Sequence, residues 1–341
     1  MVSKSPQGQA APSPPPKGVQ EACGGPARPC DLDTELPPSA VSALAPEGAE
    51  AHFWPGLALA AAGSIGFSGK AILAKLMYRH GIDAVTAVMY RMLFALPLFL
   101  ALAWWASRGK AALARRDWGV VAGLGFSGYY AASMLDFAGL QYISASLERL
   151  ILYLGPTVVM ALSVLWFKRH ITGKQWLATA VSYCGTVVVF GHELSVQGSH
   201  VAMGAALVFG SAVSYSVYLL ASGEVVKRMG SLRLTGLASS AACVLCLAHF
   251  AVFKPWSAAI VPEPVLWLSA LNAVACTFAP VLMVMMAIER IGAALTSQVG
   301  MIGPLSTITM GVWLLNEPFT PVLLLGTALV LTGVWLLTRW R

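Results

Sequence analysis

Residues 143–185 read ISASLERLILYLGPTVVMALSVLWFKRHITGKQWLATAVSYCG, and residues 291–333 read IGAALTSQVGMIGPLSTITMGVWLLNEPFTPVLLLGTALVLTG. Laid one on the other without a gap, the two blocks share 11 of 43 positions. Gly155-Pro156 meets Gly303-Pro304, Thr172 meets Thr320, Thr179-Ala180 meets Thr327-Ala328, and Gly185 meets Gly333. The offset of 148 residues also places Gly56 on Gly204, far outside the quoted blocks. The chain therefore reads as one unit written twice.

Each copy is a series of apolar runs about 20 residues long, the length an α-helix needs to cross a bilayer. The runs fall at 54–77, 84–106, 118–137, 144–167 and 175–191, then at 201–221, 234–253, 264–287, 293–315 and 319–338. The expected fold is an all-α membrane protein of ten transmembrane helices. Five helices per copy is an odd number, so the second copy enters the membrane upside down. Two inverted five-helix repeats are a recurring plan of secondary transporters, with the substrate site near the midplane between them. Residues 54–191 and 201–338 are the expected repeats.

Composition agrees. The 341 residues are 57% hydrophobic and 11% charged, against about 25% charged in soluble domains. The net charge of +7 would point to nucleic acid in a soluble chain. Here the basic residues sit between apolar runs. Arg108, Lys110, Arg115, Arg116, Lys168, Arg169, Lys174, Lys227, Arg228, Arg233, Arg290, Arg339 and Arg341 fall on one side of the alternation, and Arg79 and Lys254 on the other. By the positive-inside rule both termini are cytoplasmic, in an inner-membrane protein whose surroundings are lipid and not nucleic acid. Residues 1–50, rich in Pro, Gly, Ala and Ser, cannot build a core and are expected to be a disordered cytoplasmic tail. No apolar block of signal-peptide length precedes residue 54, so no secretory signal is expected. Cys243 and Cys246 form a CxxC without a second pair or clustered His, and read as small residues in a membrane helix. No metal site and no cofactor are expected.

The stretch Leu135-Asp136-Phe137-Ala138-Gly139-Leu140-Gln141-Tyr142-Ile143-Ser144-Ala145-Ser146-Leu147-Glu148-Arg149-Leu150, followed by Gly155-Pro156, resembles the EamA-type ten-helix members of the drug/metabolite transporter superfamily. Arg91, Gly303-Pro304 and Asn316-Glu317-Pro318 are similar to the same family, over about residues 54 to 338. Arg169 stands where the second copy has Glu317, a departure from the family's acidic position in the first half. The resemblance implies transport of a small solute and names no substrate.

Ionisable residues inside membrane helices are the sharpest functional signal, each costing about 2.5–3.5 kcal/mol at a helix centre. The first four runs hold Lys70, Lys75, Arg91, Asp136, Glu148 and Arg149, whereas the second copy holds little beyond His249. Lys70, Arg91, Asp136, Glu148 and Arg149 are candidates for substrate binding or ion coupling. Arg91 is expected to pair with Glu148 or Asp136. Lys70, beside Gly63, Gly66, Ser68 and Gly69, is expected to face the central cavity and, if unpaired, to favour anionic solutes. Asp136, Glu148, Arg149 and Lys75 also lie near helix ends, where side chains can snorkel to water. Ser211, Tyr215, Tyr218 and Ser222 share one helical face, expected to point inward. Asn272 and Gln298 are further polar candidates. Pro156, Pro280 and Pro304 interrupt backbone hydrogen bonding and are candidate hinges or fixed kinks.

Other classes fare worse. Gly125-Phe126-Ser127-Gly128 lacks the final Gly of a GxSxG elbow, and neither HExxH nor a nucleotide loop is present. No enzymatic activity is expected. The reading is a secondary transporter of a small metabolite, such as an amino acid or an anionic or zwitterionic relative, working by alternating access. A solute or proton gradient would drive it, and Asp136 or Glu148 would carry the proton, since burial favours the uncharged carboxyl. A membrane channel or an intramembrane enzyme is the alternative. Oligomeric state is left open.

Overall fold

A backbone surrounded by lipid finds no water to bond, so each apolar segment closes its own hydrogen bonds as helix. The computed structural model of the protein describes residues 49–167, 172–198, 200–300 and 302–339. The expected tail at 1–50 lies almost wholly outside these residues, as do Lys168, Arg169 and Arg341; the side chains of Lys227 and Gln298 also lie outside the described set. The described chain is all-helical, with no strand.

The helices are α1 (Ala49–Tyr78), α2 (Ala84–Ser107), α3 (Arg115–Gly125), α4 (Ala132–Leu140), α5 (Ala145–Leu152), α6 (Gly155–Phe167), α7 (Gly173–Gln197), α8 (His200–Met229), α9 (Ser231–Phe253), α10 (Glu263–Ala273), α11 (Ala279–Gly300), α12 (Ile302–Met310) and α13 (Pro321–Arg339). Wider π turns join α3 to α4 (Phe126–Ala131), join α10 to α11 (Val274–Phe278), and extend α12 (Gly311–Leu315). Among the described residues, seven helical stretches are long and apolar enough to cross a membrane: Phe53–Tyr78, Ala84–Ser107, Ala145–Trp166, Gly173–Val196, His200–Ser222, Ser231–Phe253 and Glu263–Ala287. Ile302–Leu315 and Pro321–Leu336 are shorter apolar helices.

Two features depart from the runs read in sequence. The fourth run, expected unbroken over 144–167, is interrupted at Tyr153-Leu154, just before Gly155-Pro156, because proline has no N–H to extend the preceding turn. The residue before Ile302 in the second copy, Met301, lies outside the described residues. Pro280 is likewise the second residue of α11, just past a π turn. The second departure is at 288–292, where a connection was expected and the backbone keeps its helical turns. The chain nevertheless reverses there. A methyl on Gly69, Gly63 or Gly56 of α1 would meet Cys276, Val284 and Ile291 in turn, an antiparallel order. A methyl on Gly300 would then meet Ser64, Ser68 Oγ donates to Gly303 O at 2.8 Å, and Arg79 Nη2 donates to Leu315 O at 2.6 Å, a parallel order. α1 therefore runs against α11 as far as Ile291 and along the chain from Gly300 through α12.

The same contacts recur with the halves exchanged. Gly56 abuts Ile291, and Gly204 abuts Ile143. Ser68 Oγ donates to Gly303 O, and Ser216 Oγ to Gly155 O. A Cβ at Gly185 would lie 2.5 Å from Gly326 O, and one at Gly333 would lie 2.7 Å from Ala178 O, so α7 and α13 cross backbone to backbone. α8 runs antiparallel to α4, with Ser211 Oγ donating to Ala132 O and Ser214 Oγ to Ser127 O, and parallel to α5–α6. α5 and α12 are antiparallel, since Ser146 meets Glu317 while Arg149 and Tyr153 meet Gly303 and Gly300.

Candidate functional site

Small residues on α1 set the stage. Gly66 and Gly69 admit Pro280 and Cys276 at distances a β-carbon would violate, and this close seat lets α1 sink into the bundle. From it Lys70 reaches across to α4 and α5. Its Nζ lies 2.5 Å from Asp136 Oδ2 and 3.3 Å from Glu148 Oε1. The three side chains are 16%, 3% and 0% exposed. One ammonium thus serves two carboxylates that have almost no access to solvent. Asn272 on α10 is fully buried and donates from Nδ2 to Lys70 O at 3.3 Å.

Lys70 is paired, so the condition under which it would favour anionic solutes is not met. One expectation is corrected. Arg91, expected to take a carboxylate, forms no ion pair among the described residues. Its Nη2 donates to Ser133 Oγ at 2.7 Å, and its guanidinium lies over the Phe137 ring, 4.6 Å from the centroid. The physical reason is reach: the α1 seat brings Lys70 to the carboxylates first, and a planar guanidinium is well served by an aromatic face.

Arg149 joins neither carboxylate. It donates from Nη2 to Ser68 Oγ at 3.4 Å and sits 5.6 Å from the centre of the Tyr153 ring. Several buried polar atoms in this region have no hydrogen-bond partner among the described residues: Arg91 Nε, Asp136 Oδ1, Glu148 Oε2, Arg149 Nε and Asn272 Oδ1, while Glu148 Oε1 has the Lys70 ion pair alone. Such groups are uncommon in folded chains and mark places where water, an ion or a ligand is accommodated.

The tyrosines form a separate group. Tyr215 and Tyr218 stack at 5.6 Å, and the hydroxyls of Tyr218 and Tyr129 are 3.3 Å apart. Ser211, Tyr218 and Ser222 are buried, while Tyr215, at the edge of that stripe, keeps 43% of its surface open. Tyr130 bonds His249 Nδ1 at 2.6 Å. Cys243 and Cys246 are fully buried in α9.

One part of the site was read only faintly in sequence. The first N–H groups of α5 have no helical acceptor. Ser144 caps Leu147 N at 3.0 Å, and two acidic side chains supply the rest. Glu317 accepts from Ala145 N at 2.7 Å, from Ser146 N at 3.3 Å and from Ser146 Oγ at 2.7 Å. Glu193 accepts from Ser144 N at 3.3 Å and from Ser144 Oγ. The anionic groups complement the positive end of the helix. Asn316, left-handed at φ 58°, folds the chain back so that Glu317 reaches this point. A recess of about 50 Å³ opens here, lined by Ser144, Ser146, His192, Glu193, Glu317 and Thr320. Glu193 escaped the sequence reading because it lies near a helix end with no repeat partner. Among the described residues no group of three His, Cys, Asp or Glu side chains is placed to hold a metal.

Residues 54–191 and 202–339 each match the EamA-like transporter family, the two matches starting 148 residues apart. The chain is 26% identical over 280 residues to an uncharacterized transporter, YcbK, of Bacillus subtilis (strain 168), across 80% of this chain and 90% of that one. A solved structure aligns over 85% of this chain and 97% of its own with a TM-score of 0.57, a likeness of fold at 18% identity. With two copies of the family's domain on helices able to cross a bilayer, this multi-pass membrane protein belongs to the EamA-like transporter family of the drug/metabolite transporter superfamily.

Proposed function

We propose that the protein is a secondary active transporter that moves a small metabolite across the inner membrane by alternating access. Ten membrane helices make two repeats, at 54–191 and 201–338, with opposite orientations and both chain termini in the cytoplasm. The observation that carries the reading is the buried charge cluster. Lys70, Asp136 and Glu148 from three helices meet in an apolar bundle, with Arg91 and Arg149 close by. Intramembrane charges at this density are expensive and belong to solute or ion pathways.

The inverted arrangement draws support from helix directions: α1 runs along α12, α12 against α5, and α5 along α8. That sequence leaves α1 and α8, the first helix of each copy, opposed. Exchanged contacts such as Ser68–Gly303 and Ser216–Gly155 give each closed packing a partner of similar shape. Two such packings can alternate. Asp136 and Glu148 lie on one ammonium with almost no access to solvent, so a proton on either carboxylate relieves their mutual repulsion. They are our candidates for coupling. Asn272 and Tyr218 are candidates for the solute path, and Pro156, Pro280 and Pro304 for its hinges.

The test is transport by purified protein in proteoliposomes, with solutes chosen by comparing metabolites inside and outside cells with and without the protein. Saturable uptake that rises with an imposed proton gradient is expected. Flux that grows linearly with concentration would instead indicate a channel, and an unchanged metabolite profile would remove the transport reading.

A further inference from the structure

We infer that Arg149 is an anion-binding subsite for the carboxylate of a small monocarboxylic solute. The inference rests on the transporter reading and names the substrate class of that site.

Three facts on neighbouring elements converge there. First, Arg149 has no counter-ion among the described residues. Asp136 and Glu148, the nearby carboxylates, are engaged by Lys70, and Arg149 Nε is buried without a partner. Among the described residues its one hydrogen bond is long, 3.4 Å, to Ser68 Oγ. A guanidinium with no carboxylate at ion-pair distance in lipid-enclosed surroundings calls for an anion. Second, the residue stands where one interrupted helix meets the other half of the chain. Tyr153, whose ring centre lies 5.6 Å from the Arg149 guanidinium, sits at the break between α5 and α6, and its hydroxyl donates to Gly300 O at the end of α11. A helix interruption at the contact between two repeats is where transporters expose backbone to a solute. Third, a missing side chain brings the second half's backbone against the guanidinium. A Cβ on Gly303 would come within 2.8 Å of both Arg149 Nη2 and Tyr153 Oη. Glycine there lets the backbone of the second half approach the guanidinium of the first.

Charge chooses between anions. Lys70, Arg91 and Arg149 face Asp136 and Glu148, so with all five ionised the cluster carries one positive charge in excess. A monocarboxylate cancels it, whereas a phosphate dianion would leave one negative charge buried. The planar fork of arginine also matches a carboxylate in two parallel hydrogen bonds.

The experiment uses full-length protein in lipid nanodiscs and follows thermal unfolding by intrinsic fluorescence. Each acid is compared with its own amide: acetate with acetamide, L-lactate with L-lactamide, benzoate with benzamide, L-phenylalanine with L-phenylalaninamide. Inorganic phosphate is run alongside at about pH 8, where it is mostly the dianion. At least one acid is expected to raise the melting temperature, with its amide about tenfold weaker and phosphate without effect. Arg149→Gln should weaken that acid about tenfold and Arg149→Lys less. Gly303→Ala crowds only the ends of two flexible side chains, so it should fold and still lose affinity for the acid. If Arg149→Gln does not fold, the Gly303→Ala protein and the acid–amide comparison decide. Equal response to acids and amides, preference for phosphate, no response to any acid, or full acid affinity in Gly303→Ala or Arg149→Gln would overturn the assignment. Uptake of the same solutes separates this inference from the one beneath it. Acids that bind through Arg149 and never accumulate would leave the subsite and remove transport. Saturable uptake of neutral or cationic solutes, with no acid bound, would leave transport and remove the subsite.

Discussion

Asn316 is the one described non-glycine residue with a left-handed backbone, and it closes the π turn Gly311–Leu315. Asparagine tolerates this conformation better than any branched residue. Asn316→Gly should therefore be neutral, while Asn316→Val should destabilise the protein by about 1–2 kcal/mol and release Glu317 from Ser146. Thermal unfolding of the two variants checks this; equal melting points would refute it. Lys70 is a more severe case. Removing one partner of a buried ion pair typically costs about 3–5 kcal/mol, because the remaining charge stays desolvated. Lys70→Met leaves Asp136 and Glu148 facing each other without a cation. We expect a loss in that range, partly restored by adding Asp136→Asn. A double variant no more stable than Lys70→Met would argue against the pairing.

At the scale of elements, α7 and α13 cross where neither has a side chain. Gly185 lies so close to α13 that a Cβ would stand 2.5 Å from the Gly326 carbonyl oxygen, which is backbone and cannot rotate away. Gly185→Ala should cost about 1–3 kcal/mol through displacement of the crossing. Gly191, on the same helix, has open space around its Cβ position, so Gly191→Ala should be neutral or stabilising by about 0.5–1 kcal/mol. If both substitutions give the same melting temperature, the helices are not in backbone contact. The N-terminus of α5 is a second element-scale device. Glu317 and Glu193 hold it through Ser144 and Ser146, while the repeat counterpart of Glu317 is Arg169. A guanidinium cannot accept hydrogen bonds from helix N–H groups, so the two copies cannot be fastened alike at this position.

Across the whole molecule, connections on one side of the bundle are tied between halves. Asp83, in the turn before α2, pairs with Lys254, at the end of α9. Partial burial pushes the Asp83 carboxyl up, but the Lys254 ammonium and the Thr86 hydroxyl and amide outweigh it and hold it below its ordinary value. A depressed carboxylate contributes stability above its unfolded pKa, about 3.9, and loses it as pH falls through the lower folded value. The melting difference between the wild type and Asp83→Asn should thus be present at pH 7 and fade below about pH 4. A difference that grows on acidification would reverse the sign and rule out the clasp. On the other side Arg233 Nη2 donates to Ala111 O at 2.9 Å and Arg228 Nη2 pairs with Asp117 at 2.5 Å, so the α2–α3 connection is tied to the α8–α9 connection as well.

Period, hydropathy and the 148-residue offset were enough to foresee helices, a doubled unit and a membrane, because these properties are carried by each segment on its own. Lys70, Asp136, Glu148 and Arg149 stood out for the same local reason: each is a charge inside an apolar run. Which charge meets which was not legible. The pairing depends on how far α1 sinks against Pro280 and Cys276, a distance set by glycines on one helix and side chains on another more than 200 residues away. So sequence paired Arg91 with a carboxylate, and packing gave that ion pair to Lys70 instead. Glu193 and Glu317 became part of the site only once α5, α7 and the turn at Asn316 were brought together in space. Sequence by itself determined that this chain is helical, twofold and lipid-borne, since burial of a backbone in lipid admits little else. Tertiary structure decided that Lys70 takes the carboxylates and that Arg91 and Arg149 have no ion pair among the described residues, because the energy of a buried charge depends on the few ångströms around it and not on its place in the chain.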